Sequence, residues 1–552
     1  MAQHNSTNNQ QTSERGLTRR GFLTGALGVG VGAAGFGMLA GCSSAVSSDS
    51  AADGTGAETS DAPQAEGGLG AASQTVEADV VVVGAGAAGM MAALEAGKAG
   101  AKVVVISNSP NAVATNGSMV SGTCAVETKY VEEMGETITT GELFNYMAEF
   151  IHGMPNLRLL RSCVDLMPSN IEIFEDMGIA MMAGADRYDI GIVDVHLFGT
   201  ENKGQVMQDY ITDKYDVEFV YETEAQEPIM ENGVFAGVKA KQGDTVIDYK
   251  GKSTVLACGG FLFDEEQMDQ SFGNQIAKLS SPYQTGYGIR IAKAAGAYRE
   301  SIDTMGLSDI VGGNIKNEDW FNPACMPALY GGLLVNPQGN RFMNEYNLAM
   351  ASMSYGGEPL LRVPEYFAIF DEAGFKANTE EGGYYGYMGN PECWMSGLLL
   401  YSNPIEGFDE LVSNAESDGW AWTFDSVADA AKELNLTNLE QTITDYNGFC
   451  ETGNDTEFFK RAEMLKALDT DGPIHVFQYN AAAFNTAGGC RTDEFCRALK
   501  EDFSVVDGLY IAGVENGSLY GRPYYVVGGT MSGLSYSSGR LAGMQAAEYA
   551  GK

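Results

Sequence analysis

The sequence predicts an α/β fold built on a parallel sheet, and three observations carry that prediction. Val76 to Val83 is a β-branched run of the kind that forms a strand buried on both faces. It runs directly into Gly84-Ala85-Gly86-Ala87-Ala88-Gly89, then the helix-forming stretch Met90 to Ala99, then a second strand from Lys102 to Ile106. Two more apolar runs end at glycines: Val255-Leu256-Ala257-Cys258-Gly259-Gly260-Phe261, and Gly508-Leu509-Tyr510-Ile511-Ala512-Gly513-Val514-Glu515 near the C-terminus.

The first of these segments predicts a dinucleotide site. A lone G-x-G-x-x-G is weak, but here it follows a strand, opens a helix and precedes a second strand. Gly84 would permit the tight turn, and Gly86 would let the backbone approach a pyrophosphate. Gly89 would let helix and strand touch, with the helix start at Ala87 and Ala88 facing the negative charge. The acid expected about twenty positions on is absent, because the second strand ends Ile106-Ser107-Asn108. Ser107 and Asn108 are left to bond the ribose, more weakly than a carboxylate would. The polar run Thr115, Asn116, Gly117 and Ser118 adds further candidate cofactor contacts.

Composition sets the outer bounds. A chain of 552 residues, 44% apolar, predicts two to four domains and a core that does not depend on disulfides. With 33 Lys+Arg against 73 Asp+Glu the formal charge is −40, and no basic stripe offsets it, so nucleic-acid binding is excluded. The nine cysteines include no Cys-x-x-Cys pair, which argues against an iron–sulfur or zinc centre, and the absence of Cys-x-x-Cys-His argues against a c-type haem.

The N-terminus reads as an export signal. Paired arginines, Arg19 and Arg20, precede a Gly/Ala/Leu/Val run that ends Leu39-Ala40-Gly41-Cys42. Seven glycines between Gly25 and Gly41 disfavour a stable transmembrane helix. Residues 1–41 are therefore expected to be a twin-arginine signal peptide. Cys42 is either the lipid-bearing first residue of the mature chain or part of an ordinary cleavage site. Residues 42–75, rich in Ser, Ala, Gly, Asp and Glu, read as a flexible tether.

The three glycine-ended segments together resemble the two-dinucleotide-binding-domain flavoproteins of the fumarate reductase and 3-oxosteroid dehydrogenase superfamily. Agreement extends to Thr285-Gly286-Tyr287-Gly288, to Gly332 through Glu345 with its Asn340-Arg341-Phe342, and to Gly528-Gly529-Thr530 through Gly543. The resemblance implies a Rossmann-like FAD domain of residues 76–305 and 485–552, with an inserted α+β capping domain of residues 306–484. It implies FAD contacts at Cys258, Gly259, Gly260, Gly513, Glu515, Gly528, Gly529, Thr530 and Ser532. Cys258 stands where the family usually has threonine. The helix beginning near Thr530 would direct its N-terminus at the flavin and stabilise the reduced form.

The same comparison bears on the reaction, which in this family is hydride transfer between flavin and an activated C=C. Where fumarate reductases carry a histidine pair and an Asn-Arg, this chain has Phe484-Asn485-Thr486 and Tyr525-Val526-Val527. The groups that clamp carboxylates are missing, which disfavours a small dicarboxylate. The tyrosine and glycine that bind the substrate ketone in 3-oxosteroid dehydrogenases fall on Tyr525 and Gly529, with Tyr520, Arg522 and Tyr524 nearby. The family's proton donor falls on Ala349, which cannot serve, and leaves Tyr346, Tyr355, His196 and Arg341 as candidates, with Tyr330 as a further pocket residue.

The function expected is FAD-dependent reduction of a conjugated enoate or enone of an organic electron acceptor, in anaerobic-type respiration. The chain would be exported and lipid-anchored to the membrane, with electrons from a separate partner such as a membrane multihaem cytochrome. Two alternatives stay open: a 3-oxosteroid dehydrogenase running the reverse reaction, and a flavin protein of electron transfer or sensing without turnover.

Overall fold

The computed structural model describes residues 68–552 except 136, 184–194, 274–275, 301, 308–331, 352–353 and 381–407. The leader, Cys42 and Tyr330 lie outside the described residues. The fold is the α/β architecture expected of the sequence. Its central sheet has five parallel strands in the order 505–511, 245–256, β1 (Gln74–Val83), β2 (Val103–Ile106) and 217–220. Strand 497–499 pairs antiparallel at one edge, and the hairpin 223–231/234–242 pairs with the first half of strand 245–256.

The order follows from burial on both faces. Val80 to Val83 are wholly inaccessible; Val81 and Val83 pack into one apolar cluster, Val80 and Val82 into another. Such a strand needs neighbours on both edges and helices on both faces. Helix α1 (Ala87–Lys98) and the C-terminal helix Thr530–Tyr549 cover one face together. Those helices meet backbone to backbone, because a Cβ at Gly543 would stand 2.7 Å from the Ala92 Cα. Arg540 seals the contact from its side with a 2.7 Å bond to Glu95.

Three smaller sheets complete the described chain. Strands 122–124, 195–198 and 181–183 form one, and a four-stranded antiparallel sheet draws only on residues 333–479. In the third, strand 304–307 pairs antiparallel with strand 482–487, which brings the two ends of the segment between them side by side. Among the described residues, no helix is long and apolar enough to cross a membrane.

Candidate active site

A cavity of about 520 Å³ opens along the C-terminal ends of the central strands, where a doubly wound sheet places its ligands. The first glycine-rich turn builds its floor as the sequence requires. Gly84 has φ +109° and lies so close to strand 245–256 that a Cβ would collide with the Ala257 carbonyl. Gly86 faces open space, with nothing within 4 Å of where a Cβ would stand. Gly89 lets α1 touch the Gly84 carbonyl from behind the wall.

Most of the expected cofactor residues meet here. Gly84, Gly86, Ala87, Ala88, Ser107, Asn108, Thr115, Asn116, Gly117, Cys258, Gly259, Gly513, Gly529 and Ser532 all line the cavity. In place of the missing ribose acid, the Ser107 and Ser109 hydroxyls bond each other at 2.8 Å. Asn116 is committed to the fold: its amide donates to the Phe484 carbonyl, and its oxygen accepts from Ser280 Oγ and the Ser281 N–H, each at 2.9 Å. Ser532 likewise donates to the carbonyls of Gly122 and Gly529 at 2.7 and 2.8 Å.

Six expected contacts stand behind the wall instead of on it. Gly89 serves helix–strand packing, and Ser118 Oγ accepts the Gly204 N–H at 3.2 Å. Gly260 leaves room for Asn485 and Thr486, and Gly528 lies against Val195. Thr530 donates to the Val527 carbonyl at 2.7 Å. Glu515 is buried and accepts the Cys258 N–H.

The expected catalytic side chains are mostly elsewhere, for identifiable reasons. Tyr525 is 1% exposed, packed among Tyr520 and Tyr524, and donates to the Leu519 carbonyl at 3.0 Å, so its phenol is consumed by the core. Tyr524, one residue earlier, lines the cavity and accepts the Met531 N–H at 2.5 Å. His196 is buried on strand 195–198, bonded through Nε2 to Thr128 Oγ1 at 2.6 Å and edge-on to Tyr130. Arg341 sits in a buried ion cluster with Glu345, Asp455 and Glu457. Tyr346 packs under the Arg461 guanidinium at 5.3 Å, and Tyr355 is 43% exposed. Arg522 is paired with Glu358 at 3.0 Å. Apart from Tyr524, none of these side chains lines the cavity.

Other residues that do line it were not among the expected cofactor contacts. Gln284 and Asn485 face the cavity, and the Gln284 Oε1 and Asn485 Oδ1 atoms are buried without a hydrogen-bond partner in the protein. Such orphaned acceptors are costly unless a ligand donor meets them. Gln284 stands just before the Thr285-Gly286-Tyr287-Gly288 motif, which is the one clue to it. Lys203, fully buried, holds the wall segment from behind by donating to the carbonyls of Ser118 and Val120. Burial pushes the Tyr287 phenol and the Cys258 thiol, both lining, well above their ordinary ranges, so both stay protonated.

These features fit FAD. Gly86 leaves backbone room for a pyrophosphate at the start of α1, the Gln284 amide oxygen is buried without a protein partner beside the cavity, and helix 530–549 opens on the cavity at Gly529, Met531 and Ser532. Among the described residues, no Lys, Arg, His, Asp or Glu lines the cavity.

Comparison with known proteins agrees. A family model of an FAD binding domain matches residues 79–530. Vinyl phenol reductase of Lactiplantibacillus plantarum is 26% identical over 493 residues, covering 85% of this chain and 96% of that protein. NADH:fumarate oxidoreductase of Klebsiella pneumoniae is 25% identical over 501 residues, covering 88% of this chain and 49% of that protein, so the chain spans about half its length. The fold is shared with 3-ketosteroid Δ1-dehydrogenase from Sterolibacterium denitrificans, with a TM-score of 0.66 at 18% identity over 86% of this chain and 99% of that one. The chain therefore belongs to the FAD binding domain family, among the flavoproteins of the fumarate reductase and 3-oxosteroid dehydrogenase superfamily, and is an FAD-dependent oxidoreductase acting on CH–CH bonds.

Proposed function

We propose that this protein is a reductase of a conjugated C=C activated by a neutral carbonyl or comparable neutral group, and not of a small dicarboxylate. The observation that carries the reading is the cavity wall, on which no Lys, Arg, His, Asp or Glu stands among the described residues, with a phenol at the mouth of a helix N-terminus. Two substrate carboxylates moved into such a wall would lose their hydration without a cation to replace it. The likeness to a vinyl phenol reductase, whose named substrate carries no carboxylate, supports the same reading.

FAD supplies the hydride chemistry when bound. The chain's part is to bind, polarise and exclude water. Tyr524 accepts the Met531 N–H at its hydroxyl, and both Tyr524 and Gly529 line the cavity, so a phenol O–H stands where a substrate oxygen could be met. A neutral donor of this kind stabilises charge developing on a substrate oxygen. The phenols of Tyr283, Tyr287 and Tyr524 are the titratable hydroxyls on the described wall, alongside the Cys258 thiol. Of these, Tyr524 stands at the helix 530–549 end, and we assign it the polarising role.

Tyr524 and Tyr525 make a discriminating pair. Tyr524→Phe is expected to lower kcat by about 10²-fold, the order found for loss of one oxyanion donor. Tyr525→Phe is expected to leave turnover unchanged and to cost about 1 kcal/mol of stability through the lost bond to Leu519. Steady-state rates and thermal melts of both variants decide it, and the opposite pattern would return the catalytic role to Tyr525.

The substrate class is tested by anaerobic reoxidation of dye-reduced, FAD-loaded enzyme across fumarate, aryl acrylates, unsaturated lactones and steroid enones. Reoxidation by neutral enones or lactones is expected; reoxidation by fumarate alone would overturn the reading. Bleaching of oxidised enzyme by saturated ketosteroids would mark the reverse, dehydrogenase direction.

The cellular setting belongs to the same proposal. The paired arginines and Leu39-Ala40-Gly41-Cys42 support an exported, lipid-anchored enzyme in anaerobic respiration. A separate electron donor is part of this reading because the strand–turn–helix site at Gly84–Gly89 is assigned to FAD itself, and a basic multihaem cytochrome would be drawn to a chain of charge −40.

A further inference from the structure

Glu515 ends the short turn Gly513–Glu515 and is 1% exposed. One carboxyl oxygen accepts the Cys258 N–H, and the other lies against helix 287–294 so closely that a Cβ at Gly288 would collide with it. The carboxyl is therefore held between two backbone segments. Cys258 also lines the FAD cavity, so Glu515 stands one backbone layer behind its wall.

No cation answers this acid. Among the described residues, none of the Lys or Arg side chains forms an ion pair with it. The groups packed around it are neutral: the Cys258 thiol and Tyr287 phenol on one side, the Cys490 thiol from the segment after strand 482–487, and the Ser538 hydroxyl, which accepts the Gly513 N–H at 2.9 Å, from helix 530–549. From α1, the Ala88 methyl packs against Gly513. Farther out, Arg299 is tied to Asp303 at 2.8 Å and to the Gly489 carbonyl at 3.1 Å. Lys293 and Glu300 act on Cys490, and Glu224 on Tyr287. An ionised carboxylate in this place is disfavoured, and burial pushes Glu515 up to about 8.

We propose that Glu515 is a proton site linked to reduction of the cofactor. The inference rests on the FAD reading of the cavity. Two electrons entering FAD together with one proton leave a negative charge in the cavity, and a negative charge across one backbone layer raises the proton affinity of the carboxyl. In the alkaline range, where Glu515 is ionised before reduction, it then takes a second proton from solvent. The balance is FAD + Glu515 carboxylate + 2 electrons + 2 protons giving singly protonated, anionic reduced FAD + neutral Glu515, with net charge unchanged. Glu515 touches no reacting atom in this account; it is a positioning residue that keeps the wall behind the flavin neutral.

The experiment is a dye-equilibrated anaerobic redox titration of the FAD-loaded protein at pH values from about 7 to 9.5, read by flavin absorbance. The pH dependence of the midpoint counts protons per electron pair. For the wild type, one proton near pH 7 is expected to rise towards two above about pH 8. Glu515→Gln, which mimics the protonated acid, is expected to stay at one throughout, and Glu515→Asp to keep a rise at a displaced pH. A wild-type count of one across the range would overturn the proposal, as would a Glu515→Gln protein that reproduces the rise. If neither variant holds FAD, the wild-type count alone decides. A wild type that takes up no flavin absorbance would overturn the cavity assignment itself, an outcome distinct from flavin that binds with a flat count.

Discussion

Gly86→Asp is expected to weaken FAD binding by about 10²-fold or more while leaving the apo-protein folded. Gly86 is the N-cap of α1, with φ −83° and ψ −165°, an extended conformation open to any residue. A Cβ there meets nothing within 4 Å, so the aspartate is accommodated. Aspartate is moreover a better N-cap than glycine, by a few tenths of a kcal/mol. The same carboxylate would face the pyrophosphate, and two unit charges about 4 Å apart near a protein surface repel by about 4 kcal/mol, close to three decades in affinity before relaxation. Fluorescence titration with FAD and an apo-protein melt together check this. An unchanged affinity would remove the pyrophosphate from this turn. Gly84→Ala makes the contrast: at φ +109° and against the Ala257 carbonyl, it is expected to lose fold and cofactor together.

Arg341→Met is expected to destabilise the protein by about 3–5 kcal/mol, the usual cost of removing one partner from a buried ion cluster. The Arg341 side chain is 1% exposed and bonds Glu345 at 2.9 and 3.0 Å and Asp455 at 3.0 and 3.2 Å, while Lys460 stands 3.4 Å from Glu345. Without the guanidinium, Asp455 keeps only backbone N–H donors. Burial opposes ionisation of Asp455, but hydrogen bonds from Arg341 and the Phe458 N–H outweigh it and hold the carboxyl at about 2, against 3.8 ordinarily. Burial likewise opposes Glu345, and the charges of Lys460 and Arg341 hold it below its usual range.

The sign for pH follows from those depressed values. Each carboxylate contributes stability that is fully present above its unfolded value and is lost as pH falls through its folded value, which for Asp455 is about 2. Acid unfolding of the wild type should therefore steepen in that window, and the variant should lose less there because much of the contribution is already gone. Denaturant melts at pH 7 and at pH values from about 4 down to about 2 measure both effects. Equal stability of variant and wild type at pH 7 would show that the cluster is energetically neutral.

Catalysis is not expected to depend on Arg341 except through stability, which separates this structure from the sequence-based candidacy of that residue. Its place at the end of the turn Asn336–Arg341, bridged to Val335, was readable in the Asn-Pro-Gln-Gly-Asn-Arg pattern. Its partners Asp455 and Glu457 are more than a hundred residues away, and nothing local points to them. His196 is similar. On an alternating strand a lone histidine reads as either core or site, and only its bond to Thr128 across the fold resolves it.

The residues around the flavin were legible where chemistry and chain geometry coincide within a few positions. A turn that must clear a neighbouring strand, admit a ligand and let a helix pack requires glycine at fixed offsets, so Gly84, Gly86 and Gly89 announce their roles in the sequence itself. The strand ends at Cys258 and Gly513 were legible for the same reason: buried parallel strands are continuous apolar runs, and their ends mark the ligand edge of the sheet. The segment from Asn516 to Gly529 has no such period. It runs as irregular backbone, and only the packing of Tyr520, Tyr524 and Tyr525 against the core decides that the phenol of Tyr524, not that of Tyr525, reaches the cavity. Glu515 lies where the sequence pointed, one residue from the wall, yet the contact with Gly288 from a distant helix turns its carboxyl to the back of that wall. By itself the sequence determined the sheet, the glycine turns and the cofactor, because those depend on short-range sterics and burial; the direction of each polar side chain was decided by tertiary structure, because it depends on partners that only folding brings within hydrogen-bond reach.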